Sequence, residues 1–288
     1  VTQQIDLGAV ERTALLTAAL RARETGRADR LFADPYAAAL AGELGPDLLA
    51  EVLAATFPPS GKRTVPITPD YNSIRTRLFD DLLQRAVTTE PISQVVLAPA
   101  GMDSRAYRLR WPERVRYFEV DRPAVLDYKR SRLGGAQPQV DHRLVPTDLV
   151  GDAWEDDLLA AGYDPALPST WLFEGLLYYI PGNDTHRLLD RAAAVMTPGS
   201  QVAADIPSAA CLTDPRMRPL LDVFARWGCP FRFGSDDPEA LFREHGLTVR
   251  AIHPGAGETA GYRRWADPVP TSPRDGVHRL FYVHGHRH

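Results

Sequence analysis

Cysteine is nearly missing from this chain. The 288 residues hold two, Cys211 and Cys229, with no Cys-x-x-Cys pair and no Cys/His spacing of the kind a structural zinc requires. That excludes a disulfide framework and leaves two free thiols in a reducing compartment as the expectation, with no metal site. A basic surplus is missing too. The formal net charge is −4 and charged residues make up 24%, so nothing attracts a phosphate backbone and nucleic acid is not an expected partner. The one basic-looking stretch, Arg21 to Arg30, contains Glu24 and Asp29 and reads as a solvated helix end. The first apolar stretch, Ala9–Leu20, is broken by Glu11 and Arg12, is too short to span a bilayer, and lacks the basic start and cleavage site of a secretory signal. The expectation is a cytoplasmic protein with no membrane partner. At the other end His284, His286 and His288 alternate with other residues in what reads as a frayed tail, with adventitious metal affinity at most.

What is present is an ordinary globular composition, 44% apolar, at a length that suits one large α/β domain carrying an extension or insertion. Through residue 90 no strand pattern occurs, and Ala-, Leu- and Arg-rich runs at helical spacing recur. Residues 1–90 are expected to form a helical N-terminal extension. One helix covers Ala9–Glu24, a second starts at Asp34-Pro35 with Asp as N-cap, a third at Pro46-Asp47, and a long fourth runs from Pro69-Asp70 to about Arg85. Phe57–Pro69, with its prolines, reads as a loop.

From residue 91 to 288 short β-branched runs alternate with helical patterns, the signature of βαβ units and a doubly wound, mostly parallel sheet. Seven strands are expected, at Gln94–Ala98, Arg116–Val120, His142–Pro146, Thr170–Glu174, Gln201–Asp205, Leu247–Ile252 and Arg279–Val283. Val95-Val96-Leu97 and Trp171-Leu172-Phe173 have the continuous apolarity of buried parallel strands. After the fifth strand, 207–234 is longer than an ordinary connection. It carries Met217, Phe224, Trp227, Phe231 and Phe233, and reads either as a lid or as plain core.

The chemistry-bearing residues gather at the carboxyl ends of these strands. The first strand runs into Ala98-Pro99-Ala100-Gly101-Met102-Asp103, a small-residue turn of the kind that lets a ligand approach the backbone. Glu119 and Asp121 close the next strand, Asp121 falling 20 residues after Gly101, the spacing at which a carboxylate meets ribose hydroxyls in nucleotide-binding βαβ units. An adenosine-containing ligand is the functional reading; a simple turn with two helix-capping carboxylates is the bland one. One glycine and a proline at 99 suit a diphosphate poorly, which weighs against a nicotinamide oxidoreductase. Asp148-Leu149 follow the third strand, facing an adenine edge or capping a helix. Glu174 closes an otherwise apolar fourth strand, where a carboxylate is costly unless it is paired or faces a ligand.

Arg75-Thr76-Arg77, Val95–Leu109, Phe118-Glu119-Val120-Asp121-Arg122-Pro123 and Glu174-Gly175-Leu176-Leu177-Tyr178-Tyr179 together resemble the leucine carboxyl methyltransferase family. The resemblance extends to its bacterial branch, which includes polyketide carboxyl O-methyltransferases similar to the tetracenomycin enzyme. It also takes in Arg12-Thr13-Ala14, Arg21-Ala22 and Leu31-Phe32-Ala33-Asp34-Pro35-Tyr36. The resemblance implies a class I, Rossmann-like methyltransferase sheet, S-adenosyl-L-methionine as cofactor and S-adenosyl-L-homocysteine as product. It implies that Arg75 and Arg21 meet the cofactor's methionine carboxylate, that Ala98, Ala100 and Gly101 pass beneath it, and that Asp121 binds the ribose. Asp148 and Leu149 would flank the adenine and Glu174 would approach the ammonium. The family reads Gly-Ala-Gly where this chain has Ala98-Pro99-Ala100-Gly101, so one expected glycine is replaced.

Methyl transfer from a sulfonium needs alignment and water exclusion more than catalytic side chains. A carboxylate acceptor is already ionised at neutral pH, whereas a phenol with a pKa of about 10 gains from a base. No His-Asp or Lys base motif stands out, which favours a carboxylate of a small molecule, such as a polyketide or other secondary metabolite. His186, His245 and His253 read as surface or capping residues. A hydroxyl-directed enzyme, or a non-methylating member of the fold, are the alternatives. Tyr178 and Tyr179 are candidates for the acceptor pocket or for packing under the next helix. The oligomeric state is open.

Overall fold

A computed structural model describes residues 9–56, 68–269 and 280–288. Its centre is a seven-stranded sheet of β1 (Gln94–Leu97), β2 (Arg116–Asp121), β3 (Asp141–Pro146), β4 (Ser169–Phe173), β5 (Gln201–Pro207), β6 (Leu247–Ile252) and β7 (Leu280–Arg287), in the order β3-β2-β1-β4-β5-β7-β6. All neighbours pair in parallel except β7, which runs antiparallel to both β5 and β6. All seven expected strands are present, with ends shifted by a few residues. His284 and His286 are not a frayed tail: they belong to β7, opposite Ala203 and Gln201 of β5. Of the expected loop Phe57–Pro69, positions 57–67 lie outside the described residues, as does Arg279; Thr68 and Pro69 already belong to a helix.

Side chains alternate between the two faces of the sheet, as strand geometry dictates. Val96, Phe118, Trp171 and Val202 pack on one face against α7 (Trp154–Ala160), α8 (Gly182–Val195) and α11 (Pro238–Glu244). Val95, Tyr117, Leu172 and Ala203 pack on the other, against α4 (Thr68–Thr89), the short α5 (Arg105–Arg108) and α6 (Pro123–Leu133). Helix α4 therefore packs on the sheet itself, and the expected division at residue 90 falls between α4 and β1. The preceding helices α1 (Ala9–Thr25), α2 (Ala37–Ala41) and α3 (Leu44–Thr56) share a separate apolar cluster with α10 (Arg218–Arg226), through Leu16, Leu48, Val52, Leu220 and Phe224. α9 (Ala209–Thr213) completes the insertion after β5. The insertion and the N-terminal helices thus form one cap over the carboxyl edge of the sheet. Trp227 ties them further, donating to Glu51 at 3.1 Å.

Two local expectations are corrected. α2 begins at Ala37, not at Pro35; Asp34 does accept from the Tyr36 amide at 3.1 Å, as a cap would, but its carboxylate is also buried against Arg21 at 2.8 Å. Nor is Arg21–Arg30 simply a solvated end. Arg21 is buried, and Glu24 accepts from the Leu31 amide, from Ser73 and from Arg264 at 2.7, 3.0 and 2.8 Å.

Glu119 is fully buried, neutralised by Lys129 of α6 at 2.7 Å and approached by His142 Nε2 at 3.3 Å. Burial pushes its carboxyl pKa up, but Lys129 and His142 outweigh that and hold it below the usual value. Removing one partner strands a buried charge. Lys129→Met should cost about 3–5 kcal/mol in urea denaturation, and Glu119→Leu added to it should restore most of the loss. Additive losses in the double variant would show that the two side chains are not coupled.

Candidate functional site

The strand order reverses between β1 and β4, and at their carboxyl ends lies a cleft of about 650 Å³, the place where open α/β sheets bind ligands. Its floor is the turn after β1. The Ala98 amide donates to Leu172 O and the Ala100 amide to Val120 O, each at 3.0 Å, so the turn is an extension of the sheet's own pairing. Gly101 has φ of 45°, a left-handed conformation that glycine adopts without penalty. Its amide donates to Asp121 Oδ2 at 2.7 Å, and Arg122 N donates to Oδ1 at 2.7 Å. The 20-residue spacing therefore closes a direct contact between turn and carboxylate. Burial dominates at Asp121 and raises its pKa to about 6 despite these two amides.

The opposite wall is charged. Glu174, just beyond β4, meets Arg75 Nε at 2.9 Å and Arg105 Nη1 at 2.7 Å. Burial opposes its ionisation, but Arg105 and Arg75 prevail and its pKa is lowered. Arg75, on α4, also donates to Asp205 at 2.7 Å and lies near Tyr178 Oη at 3.4 Å. Arg105 is held in turn by Asp103 at 2.6 Å and Asp80 at 2.7 Å, and Asp80 binds Arg108 at 2.7 Å. From α1, Arg21 reaches Asp34 and the carbonyl of Met102, pinning the N-terminal helix to the β1 turn.

A second chamber of about 680 Å³ adjoins the cleft, sharing Thr13, Thr17, Arg75, Tyr178 and Tyr179 as a common wall. The rest of its lining is largely apolar and aromatic, with Leu16, Met217, Leu220, Phe224 and Phe231 contributed by α1 and the insertion.

Of the residues singled out in the sequence, Arg21, Arg75, Ala100, Gly101, Asp121 and Glu174 line the cleft, and Tyr178 and Tyr179 stand between the two chambers. Ala98 is buried in the core beneath the turn, while Pro99 faces the cleft. Asp148 and Leu149 are not among its walls. Asp148 is exposed and accepts from the Val150 amide at 3.0 Å, and Leu149 is buried in the core. Sequence reasoning passed over Asp103, Arg105 and Asp205. Asp205 could have been found by the argument applied to Glu174, a carboxylate closing an apolar strand. Arg105 carried no comparable signal, because two of its three partners, Asp80 on α4 and Glu174 just beyond β4, are distant in sequence.

The strand order, the glycine turn bonded to an acidic residue, and the paired charges beyond β4 define a Rossmann-like fold of the class I methyltransferase type. The leucine carboxyl methyltransferase family model matches residues 14–193, and the chain belongs to that family of S-adenosyl-L-methionine-dependent enzymes. A Mycolicibacterium vanbaalenii protein named "Putative S-adenosyl-L-methionine-dependent methyltransferase" is 34% identical over 96% of this chain and 95% of its own length. A like-named Mycobacterium avium protein is 42% identical over 68% of this chain and 64% of its own. The solved structure of a DUF574 family protein from Streptomyces avermitilis superposes with a TM-score of 0.60, covering 94% of this chain and 97% of that one at 13% identity, which speaks to fold alone.

The residues present suit a sulfonium amino acid attached to a nucleoside. Among the described residues, the charged side chains on the cleft wall are two arginines, Arg21 and Arg75, and three carboxylates, Asp103, Asp121 and Glu174. The excess of one negative charge complements a cofactor whose ammonium, sulfonium and carboxylate sum to one positive charge. Arg75 and Glu174 would hold the amino-acid end, with their opposite charges side by side, and Asp121 the ribose hydroxyls. Because the pKa of Asp121 is raised to about 6, its carboxylate takes up a proton on acidification before Glu174 or Asp103, whose pKa values are lowered. Affinity for S-adenosylhomocysteine should therefore be level above pH 7 and fall by up to about tenfold per pH unit below pH 6. Calorimetry between pH 5 and 8 would show this, and Asp121→Asn should bind more weakly with the inflection gone.

Proposed function

We propose that the protein is an S-adenosylmethionine-dependent O-methyltransferase that acts on a carboxylate of a small, largely apolar molecule held in the second chamber. The observation that carries this reading is the chamber's lining. Among the described residues its only charged side chain is Arg75, and it contains no histidine, lysine, aspartate or glutamate. Two of its hydroxyls, those of Tyr71 and Tyr178, lie 2.8 and 3.5 Å from Asp205, and burial, with Asp205 adding to it, raises both phenol pKa values. They stay protonated and serve as donors, not bases. Asp205 is itself occupied by Arg75, Tyr71 and the Gly175 amide. An acceptor that must lose a proton finds no base here, and an ionised carboxylate needs none.

When bound, the cofactor supplies an electrophilic methyl group on a positively charged sulfur. Transfer of that methyl to an acceptor carboxylate would join oxygen to carbon, release the sulfur as a neutral thioether, and cancel the carboxylate's negative charge against the sulfonium's positive one. A step that destroys two opposite charges is favoured by a dry, weakly polar wall such as Leu220, Phe224 and Phe231 provide. Tyr178 and Arg75, at the junction, orient the oxygen; the cap of α1 and α10 excludes water.

With methyl-labelled cofactor, labelled product should release its label under mild base, as an ester does. A base-stable labelled product would move the assignment to a hydroxyl acceptor, and failure to bind S-adenosylhomocysteine at all would remove methyl transfer altogether. Arg75→Met should weaken S-adenosylhomocysteine binding about 10–100-fold, the worth of a hydrogen bond to a charged group.

A further inference from the structure

On the sheet face away from α4, α8 and α11 lie side by side and bring together residues that the sequence keeps far apart. His186 of α8 and Glu244 and His245 at the end of α11 place one ligand atom each within 4.8 Å of one another. His186 Nδ1 is 3.0 Å from His245 Nε2 and 3.9 Å from Glu244 Oε2. Nitrogen ligands about 2.05 Å from a tetrahedral zinc sit about 3.3 Å apart, so the three atoms need only small side-chain rotations to share one ion.

A fourth residue prepares the site. Asp190, one turn beyond His186 on α8, lies 2.6 Å from His245 Nδ1. A carboxylate can only accept, so the His245 proton is on Nδ1 and, in the neutral ring, the lone pair of Nε2 points at His186. This is the arrangement by which an outer carboxylate fixes the tautomer of a metal-binding histidine. The His245 side chain is 5% exposed, whereas those of His186 and Glu244 are 41% and 64% exposed. One ligand is thus rigidly held, and the solvent side is open for entry and for a water in the fourth position.

We propose that His186, Glu244 and His245 form a binding site for a divalent transition metal of the zinc type, separate from the methyl-transfer cleft. Two imidazoles and a carboxylate are a donor set suited to Zn²⁺ or Co²⁺ and poor for Ca²⁺ or Mg²⁺, which prefer oxygen ligands. The contact between the two histidines is satisfied either by one proton lying between them, on His186 Nδ1 or on His245 Nε2, which does not require Glu244, or by a metal ion, which engages all three. Placed there, the ion clips α8 to α11. Helix α8 follows the loop that carries Tyr178 and Tyr179, and α11 follows the stretch that carries Phe231 and Phe233. The Phe233 ring lies 6.0 Å from that of His186. A metal here fastens the two segments that wall the acceptor chamber.

The test titrates Co²⁺ into the full chain in which His286→Ala and His288→Ala have removed the adjacent imidazoles of the C-terminal strand. One equivalent should bind, with the ligand-field absorption of a low-coordinate nitrogen and oxygen site, and Zn²⁺ should displace it and raise the thermal midpoint. Adding His186→Ala or, as a second variant, Glu244→Gln should weaken binding about tenfold or more. Both side chains are exposed, so circular dichroism should show an intact fold. Metal binding that disappears with the two tail substitutions alone, or that survives His186→Ala unchanged, overturns the proposal, as does the absence of binding in every variant.

Discussion

Four arginines and five carboxylates meet where the carboxyl ends of β1, β4 and β5 approach the N-terminal helices, and none of them could be buried without the rest. Arg21, Arg75, Arg105 and Arg108 are each paired with at least one of Asp34, Asp80, Asp103, Glu174 and Asp205. Taking such groups out of water costs several kcal/mol per ion unless partners and geometry compensate. The partners here come from α1, α4, α5 and two strand ends, so charge compensation fixes where those elements sit. Apolar packing brings α4 onto the sheet through Ile74, Leu78 and Phe79. The ion pairs at its upper end decide which way it faces and keep the cleft from collapsing into another piece of core.

The same network explains why so much of the fold was legible in the sequence and less of the site. Strands such as Val95-Val96-Leu97 and Trp171-Leu172-Phe173 announce themselves because burial on both faces demands apolar residues at every position. Gly101 and Asp121 were legible for a similar reason, since the turn and the strand end are joined within one βαβ unit. Arg105 was not, because its meaning lies in Asp80 and Glu174, which are close in space and distant along the chain. Asp34 looked like a helix cap because Asp-Pro before an alanine run is the usual sign of one. Its burial between Arg21, Ser104 and Arg108 is a tertiary fact. Asp148, expected either to face an adenine edge or to cap, is exposed after β3 and closes its own turn by accepting from the Val150 amide.

The two chambers differ in the way their chemistries require. The cleft beside the β1 turn carries charges of both signs in fixed positions, suited to a zwitterionic amino acid. The chamber under α10 is lined mostly by aromatic and aliphatic side chains, and those from the insertion, Met217, Leu220, Phe224 and Phe231, take no part in the ion network. On the proposed reading, cofactor recognition rests chiefly on the sheet ends and α4, and acceptor choice on the insertion.

Arg75, among the described residues the one cation that touches both chambers, has its charge already shared between Glu174 and Asp205. An acceptor carboxylate entering the apolar chamber alone would lose its hydration and find only a neutralised guanidinium, an unfavourable exchange. Once a sulfonium lies at the junction, the same carboxylate gains an unpaired positive charge in a weakly polar surrounding, where the attraction is strong. On the proposed reading the two ligands therefore bind in order, cofactor before acceptor. S-adenosylhomocysteine should compete with S-adenosylmethionine at every acceptor concentration, whereas an unreactive acceptor analogue should be uncompetitive against S-adenosylmethionine. A noncompetitive pattern for that analogue would mean that the chamber holds its carboxylate without help from the sulfonium, and that Arg75 keeps more free charge than its two carboxylate partners suggest.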